Sequence, residues 1–222
     1  MAQRTTTLAP RIDPVRLSGL VDDDGAELGH SAFQEEGKRF SGLDLTGRDL
    51  SDATFSECEF IDVSLHQADL QRASVIETTM ERVNAPVLSA ARSRFRDVVV
   101  SGSRIGSGEL YDASWQSVRV ENCKLGFLNL RGARLLDVLF VDCVIDELDL
   151  GGAKAKRVAF AGTSVASLDV TQAELKNVDL RDAQLHAIRG IMPGLRGATM
   201  SSVQVAQLAD TFAAHLGIVV DE

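Results

Sequence analysis

A period of five residues constrains this sequence more than any other feature. From Phe40 to Leu185, every residue whose number is a multiple of five is apolar, which gives 30 consecutive matches, and 18 of these are Leu or Phe. An amphipathic helix repeats its apolar residues at spacings of three and four, and a half-buried strand at a spacing of two. A period of five fits neither element. The repeat therefore predicts a solenoid without loop insertions in this span.

A second column, of small residues, lies two positions before each large residue. Of the 29 such positions from Leu43 to Ala183, 23 are Ala, Cys, Val, Ser, Thr or Gly, and the other three columns are rich in polar residues. The large and small residues are predicted to point inward, with each unit turning the chain by about a quarter of a circle. Four units then close one square coil. Stacked at about 4.8 Å, the units predict roughly 7.5 coils and a rod about 36 Å long.

Several units, among them SDATF, HQADL, LRGARL and LDLGGA, resemble the pentapeptide-repeat family over about two-thirds of the chain. The resemblance implies an all-β fold, a right-handed quadrilateral β-helix. The best-known members of this family are acidic, DNA-like rods that dimerise through a C-terminal module. They bind bacterial type II topoisomerases and protect them from quinolones, whereas many other members have no assigned activity.

The two ends of the chain depart from the period. Residues 1–25 contain two prolines and an Asp run and predict a flexible N-terminal tail. Residues 26–39 predict an irregular first coil, because Leu28 and Phe33 stand two positions out of register. The β-helix is predicted over 40–190. Residues 191–222 are predicted to form a C-terminal cap and a possible dimerisation segment.

The cap is predicted to be one α-helix from Ser202 to about Leu216, because apolar residues recur there at helical spacing and Gly217 follows. An open stack of coils exposes apolar side chains and unpaired backbone, so a cap is physically required. A short β-favouring run follows the helix and is predicted to join two copies end to end as a homodimer. The residues assigned to the cap and the dimer contact are Val205, Leu208, Phe212, Leu216, Ile218, Val219 and Val220.

The sequence offers no constellation for catalysis, for a metal or for a cofactor. The three cysteines, Cys58, Cys123 and Cys143, all fall in the small inward column and lack further ligands at metal-binding spacing. With a net charge of −9, the chain has no general affinity for nucleic acid or anionic membranes. The N-terminus lacks the apolar core of a signal peptide. We expect a cytoplasmic protein that is not an enzyme, with no direct nucleic-acid or membrane binding.

Two outward surfaces are candidate sites. Stacking predicts an acidic stripe of five carboxylates on one face, at Asp49, Asp69, Glu109, Asp149 and Asp169. It also predicts an apolar surface patch on another side of the rod, at Val99, Phe127, Leu136, Leu139 and Val141. A solvated face is the plain explanation of the stripe, and DNA mimicry is the functional one. Exposed apolar neighbours indicate a partner.

Three functions from different classes follow from these surfaces. A non-enzymatic protein-binding rod with an unspecified partner is favoured. The sharpest alternative is a DNA-mimicking modulator of a bacterial type II topoisomerase, DNA gyrase, that confers quinolone tolerance. A structural scaffold subunit is the third.

Overall fold

The computed structural model of the chain describes residues 7–29 and 32–221, and these form a parallel β-helix closed at one end by short helices. Residues 1–6 of the predicted tail, residues 30–31 of the predicted first coil and Glu222 of the predicted cap lie outside the described residues. Strand pairing confirms the 20-residue coil, because Phe140 pairs with Phe160 and Leu148 with Leu168. The predicted fold class is confirmed.

The strands lie in two parallel sheets that together wrap the core. The large sheet has 12 strands and bends through a corner, and the small sheet has six. The strands of the large sheet are β1 (Val21–Asp23), β2 (Gln34–Glu36), β3 (Lys38–Ser41), β4 (Thr54–Ser56), β5 (Glu59–Ile61), β6 (Ser74–Glu81), β8 (Arg94–Ser101), β10 (Ser114–Glu121), β12 (Arg134–Val141), β14 (Lys154–Ala161), β16 (Glu174–Asp179) and β18 (Ala198–Thr199). Those of the small sheet are β7 (Asn84–Ser89), β9 (Arg104–Glu109), β11 (Lys124–Asn129), β13 (Val144–Asp149), β15 (Ser164–Asp169) and β17 (Gln184–Arg189). The helices are α1 (Ile191–Gly194), α2 (Ser202–Gln207) and α3 (Ala209–His215).

The core consists of the two inward columns, as the repeat predicts. The large column is buried almost throughout, and like side chains stack from coil to coil: the rings of Phe140 and Phe160 lie 5.0 Å apart and within 3° of parallel. The small column is buried with it, and the three cysteines there are unpaired and buried. A fixed step of one coil therefore places the inward side chains of successive coils directly above one another.

The corners depend on residues in the left-handed region. The residue two positions after the large one has positive φ at most corners, as at Asp52 (56°) and Arg72 (60°). Its N–H then donates to the next coil, from Asp52 to the carbonyl of Gln71 at 2.9 Å. Side chains other than Gly visit this region at a cost, which these hydrogen bonds offset. Gly, Asp and Asn reach this region at the lowest cost and recur at this position, together with Arg.

One corner changes its form part-way along the rod. It is left-handed at Gly47 and Gln67, but from β7 onward the small sheet runs through it without a left-handed residue. The change coincides with Leu88, the first large side chain among several in the small column on this side. Gly108 replaces that leucine one coil later, and a cavity of about 50 Å³ lies among its apolar neighbours.

The N-terminal segment differs from the predicted flexible tail. Residues 7–20, which we call the strap, form no helix or strand but lie along the rod. The strap begins at Thr7, whose hydroxyl is hydrogen-bonded to that of Thr199 near the C-terminal end, and leads into β1 on the first coil. No period marks residues 7–20, so the five-residue pattern could not predict that they dock.

The first coil is irregular in its side chains rather than in its backbone. Strand β2 pairs with β4 and β3 with β5 at the regular step of one coil, so no extra residue separates them. Leu28 and Phe33 instead occupy the small inward position, where Leu28 is buried and Phe33 packs against the core. Strand β1 departs from the 20-residue step, because Val21 pairs with Lys38 and not with Ser41, which stands 20 positions on.

Candidate interaction surfaces

The register stacks the predicted acidic stripe into one column. Asp49 bridges to Asp69, Glu109 pairs with Asn129, and Asp149 pairs with Asp169. The five carboxylates therefore lie on one side of the rod, on successive or alternate coils. Asp49 is exposed and the other four are half-buried.

The aspartates of the stripe also secure the corners. Each accepts the backbone N–H of the residue two positions on: Asp49 from Ser51 at 3.0 Å, and Asp169 from Thr171 at 2.8 Å. Hydrogen bonds from the Ser51 hydroxyl and N–H lower the pKa of Asp49. Burial raises the pKa of Asp169, but the hydrogen bonds from Thr171 outweigh it and the net shift is downward. These aspartates therefore have a structural use that needs no partner.

Cations on the same side reduce the charge of the stripe. Arg131 pairs with Asp149 at 3.1 Å, and Arg189 approaches Asp169 at 3.8 Å. The Glu109 carboxylate accepts a hydrogen bond from the side chain of Asn129 at 2.6 Å. The C-terminal half of the stripe is thus less anionic than its residue types suggest.

The predicted apolar patch divides between the two sheets. Val99, Leu136, Leu139 and Val141 lie in the large sheet, where Arg119 separates Val99 from Leu139. Phe127 lies in β11 of the small sheet, between Ser107 and Glu147. All five side chains are half-buried. The five therefore do not form one continuous surface, because the large and small sheets face different sides of the coil.

The strap passes over the corner at which the large sheet bends. The backbone N–H of Arg11 donates to Asp137 Oδ1 at 2.9 Å, and Asp137 lies between Leu136 and Leu139 in β12. Arg157 also donates to both oxygens of Asp137, and the two side chains of this ion pair are almost completely buried. Part of the predicted patch is therefore next to a segment of the same chain.

The cap is two short helices rather than the one helix predicted. Ser201, not Ser202, is the N-cap, and it forms a capping box with Gln204. Leu208 separates α2 from α3 and is 4% exposed, and Phe212 packs against the core. Val205 and Leu216 are exposed, because the end of a square coil is too small to cover a whole helical stripe.

Gln204 is the residue of the cap that the apolar pattern missed. It is 6% exposed, and its side-chain amide donates to the carbonyls of Leu180 at 2.5 Å and Ala183 at 2.7 Å. In the coils below, the equivalent carbonyl accepts the backbone N–H of the residue 21 positions on, as Ala153 does from Glu174. Gln204 stands 21 positions after Ala183, so its side chain replaces the N–H of the coil that does not follow. A Ser-x-x-Gln capping box was the available signal.

Exposed apolar side chains gather at the C-terminal end. Val219 is 90% exposed, and Gly217 turns the chain out of α3 with a φ of 71°. We call the exposed group the C-terminal cluster; it comprises Val203, Val205, Leu216, Ile218, Val219 and Val220. An open groove in the same cap is lined by Ile191, Pro193, Leu195, Arg196 and Phe212.

No three His, Cys, Asp or Glu side chains in 7–29 and 32–221 are placed to hold a metal ion. Within the same ranges, no helix is long and apolar enough to cross a membrane.

Comparisons with known proteins agree with the repeat. A family model described as "Pentapeptide repeats (8 copies)" matches residues 39–75, and one described as "Pentapeptide repeat region" matches residues 113–189. Together they cover just over half of the chain. No curated protein matches significantly.

Similar solved structures include two pentapeptide-repeat-like rods. HetL from the cyanobacterium Nostoc sp. strain PCC 7120, a pentapeptide repeat protein involved in heterocyst differentiation regulation, is 17% identical with a TM-score of 0.43; the match covers 80% of this chain and 93% of HetL. Full-length QnrB1, a plasmid-mediated fluoroquinolone resistance protein, is 14% identical with a TM-score of 0.29, over 86% of this chain and 94% of QnrB1. The fold assignment rests on the strand register of the chain itself.

Proposed function

The chain belongs to the pentapeptide-repeat family, and on that premise we propose that it is a non-enzymatic protein-binding rod. Its outward side chains form straight columns with a step of one coil, which makes long faces rather than pockets. Such faces suit association with another macromolecule better than binding of a small substrate.

The C-terminal cluster is the observation that carries this proposal. Exposed apolar neighbours on a folded protein mark association sites. The partner that fits best is a second copy of the chain, joined end to end about a two-fold axis. The run Ile218–Val220 of each copy then lies in the groove beside Phe212 of the other, and both sets of apolar side chains leave water.

Light scattering on single substitutions tests the proposal. The full chain is expected to have about twice its mass of 23.9 kDa at micromolar concentration. Val219→Asp places a charge in the contact and should return the mass to that of one chain. The control is Val144→Asp, an exposed valine on the side of the rod, which should leave the dimer intact. A single-chain mass for the unmodified protein contradicts the proposed self-association, and so does a Val219→Asp variant that remains dimeric.

DNA mimicry directed at DNA gyrase is the second candidate, and the stacked carboxylates of the acidic stripe favour it. The stripe offers about one carboxylate per 6 Å, whereas duplex DNA carries one charge per about 1.7 Å. The salt bridges from Arg131 and Arg189 weaken it further. Because the charge density of the stripe is this low, we rank DNA mimicry below the general protein-binding function.

A gyrase supercoiling assay tests DNA mimicry. If the rod competes with DNA, the unmodified protein inhibits supercoiling, and inhibition falls steeply with added salt. Exchanging Asp49, Asp69, Asp149 and Asp169 for Asn should abolish inhibition without unfolding the rod. Asn keeps the corner hydrogen bond, as Asn129 already does by accepting the N–H of Arg131. The absence of inhibition by the unmodified protein removes this candidate.

A further inference from the structure

The strap follows a single corner of the coil along the rod. Leu8 N–H donates to Asn177 Oδ1 at 3.4 Å, Arg11 N–H to Asp137 Oδ1 at 2.9 Å, and Asp13 N–H to Ser117 Oγ at 2.9 Å. The three acceptors occupy the same position in different coils, because their numbers differ by multiples of 20. As the strap residue number rises, the acceptor number falls, so the strap runs opposite to the direction in which the coils stack.

Burial shows how much of this corner the strap covers. Left-handed corner residues elsewhere between residues 42 and 182 are exposed, with Asp62 and Asp142 as examples. Along this corner, Ser117 is 3% exposed and Asp137 is 7% exposed, although both lie on the outside of the coil. The covered row, which we call the strap groove, consists of Asp97, Ser117, Asp137, Arg157 and Asn177.

Charge also favours the contact between the strap and the strap groove. Residues 7–20 contain two arginines and one aspartate, whereas the whole chain carries a net charge of −9. The strap groove offers two aspartates against one arginine, and that arginine is already paired with Asp137. Burial raises the pKa of Asp137, but the hydrogen bonds from Arg157 and from the Arg11 N–H, together with the charges of Arg157 and Arg11, bring it below its ordinary value. Asp137 is thus a charged acceptor held ready for an N–H and a basic side chain.

The strap is bound in the manner of a ligand rather than as part of the sheet. All three of its N–H groups named above go to side chains of the rod, and no residue of 7–20 belongs to a strand. The backbone ladder begins after the strap, with β1 at Val21. The core beneath it contains no strap residue: Leu135, Val138 and Phe140 are buried among the inward columns, and no residue of 7–20 belongs to the same cluster. Loss of the strap therefore uncovers the groove without opening the core.

We propose that the strap groove is a binding site for an extended peptide that carries a basic side chain, and that residues 7–20 are its occupant within the same chain. This deepens the proposed protein-binding function and rests on it: the partner supplies a segment of that chemistry and displaces the strap. The backbone N–H groups of the peptide supply the affinity, and its arginine opposite Asp137 supplies the preference for a basic peptide.

A full-length variant with a weakened strap provides the test. Arg11→Pro with Asp13→Pro removes both N–H donors and one charge of each sign, and leaves every residue of the rod unchanged. A labelled peptide of residues 7–20 is titrated against this variant by fluorescence anisotropy. It should bind at least tenfold more tightly than to the unmodified protein, whose groove is occupied.

Substitutions in the groove make the test specific. In the weakened-strap background, Asp137→Ala should reduce peptide affinity at least tenfold, and Ser117→Ala should reduce it without a change in charge. The control is Asp62→Ala, because Asp62 pairs with Arg82 one coil on, as Asp137 pairs with Arg157, but at an exposed corner.

The proposal is overturned if the peptide does not bind the weakened-strap variant while circular dichroism shows an intact rod. It is also overturned if Asp62→Ala and Asp137→Ala have equal effects. Either result leaves the end-to-end association untouched, because light scattering measures that contact separately. A protein that stays monomeric but binds the peptide removes the dimer and keeps the groove.

Discussion

At the scale of single residues, the place of a side chain in the five-residue unit decides its surroundings. Phe140 occupies the large position, is 1% exposed and stacks on Phe160. The ring of Trp115 contacts it at a tilt of 34°. Phe127 lies two positions after a large residue and is half-buried on the outside. The same residue type is therefore core in one column and surface in another.

This contrast gives the first prediction. Phe140→Ala should lower the free energy of unfolding by about 3–5 kcal/mol, because hydrogen-bonded coils on both sides keep the cavity from closing. Phe127→Ala should cost about 1 kcal/mol or less, since part of its ring already meets water. Chemical denaturation of the two variants provides the comparison. Equal losses of stability would show that the inward register is wrong.

Two glycines of the small sheet give a second prediction. A Cβ added at Gly108 meets Leu110 Cδ1 at 3.0 Å and Leu128 Cδ1 at 3.3 Å, and these methyl groups lie beside the 50 Å³ cavity into which they can shift. Gly108→Ala should therefore stabilise the protein by about 0.4–1 kcal/mol, through a less flexible unfolded chain. At Gly126 the added Cβ lies 2.3 Å from the carbonyl oxygen of Gly106.

Gly126→Ala is the matched control, because backbone cannot move aside as a methyl group can. It should destabilise the protein by at least about 1 kcal/mol. Thermal unfolding of the two variants should shift in opposite directions. A destabilised Gly108→Ala variant would mean that the cavity cannot accept the displaced leucines.

At the scale of secondary-structure elements, the repeat was predictable and the two ends were only partly so. The inward columns follow from a period that every coil repeats, and their burial confirms it. The docking of the strap involves isolated hydrogen bonds, among them those to Asn177, Asp137 and Ser117, and these leave no period in the sequence. Helices do close the C-terminal end, as the sequence indicated. The pattern used for that prediction considers only apolar residues, so it could not identify Gln204.

Gln204 gives the third prediction. Gln204→Ala leaves the Ala183 carbonyl without its donor and removes the capping box, and should cost about 1–3 kcal/mol. Gln207→Ala, in the same helix but exposed, should change stability by about 0.5 kcal/mol or less. Urea denaturation measures both. If the two variants lose equal stability, Gln204 does not complete the last coil.

The strap gives a prediction about pH. The pKa of Asp137 is lowered in the folded protein, so its contribution is complete above the unfolded value of about 3.8 and is lost as the pH falls through the lower folded value. The pKa of Arg157 is raised by its hydrogen bonds to Asp137, so this partner stays charged throughout the range. The NMR amide signal of Arg11 should therefore be constant from neutral pH to about pH 4 and should shift below it.

Asp137→Asn is the control, because it keeps an acceptor for the Arg11 N–H and removes the titrating group. Its Arg11 amide signal should not change with pH in that range. A signal that titrates equally in both proteins would assign the change to another carboxylate.

At the scale of the whole molecule, the stack is longer than the repeat alone predicts. One path through the large sheet joins ten strands, from β1 to β18, and gives about nine steps and a rod about 43 Å long. The five-residue register from Phe40 to Leu185 predicted the central coils of this rod. The added length comes from β1 and β18, which lie outside the uninterrupted period and extend the stack at both ends.

The proposed function depends on what this rod does with its C-terminal end, and small-angle X-ray scattering coupled to size-exclusion chromatography tests it most directly. The method gives mass and maximum dimension from the same sample. We predict about twice 23.9 kDa and a maximum dimension of roughly 90 Å, because two rods of about 43 Å meet end to end. A particle of one chain with a length near 43 Å at micromolar concentration contradicts the account, as does a dimer no longer than one rod, which would mean side-by-side packing.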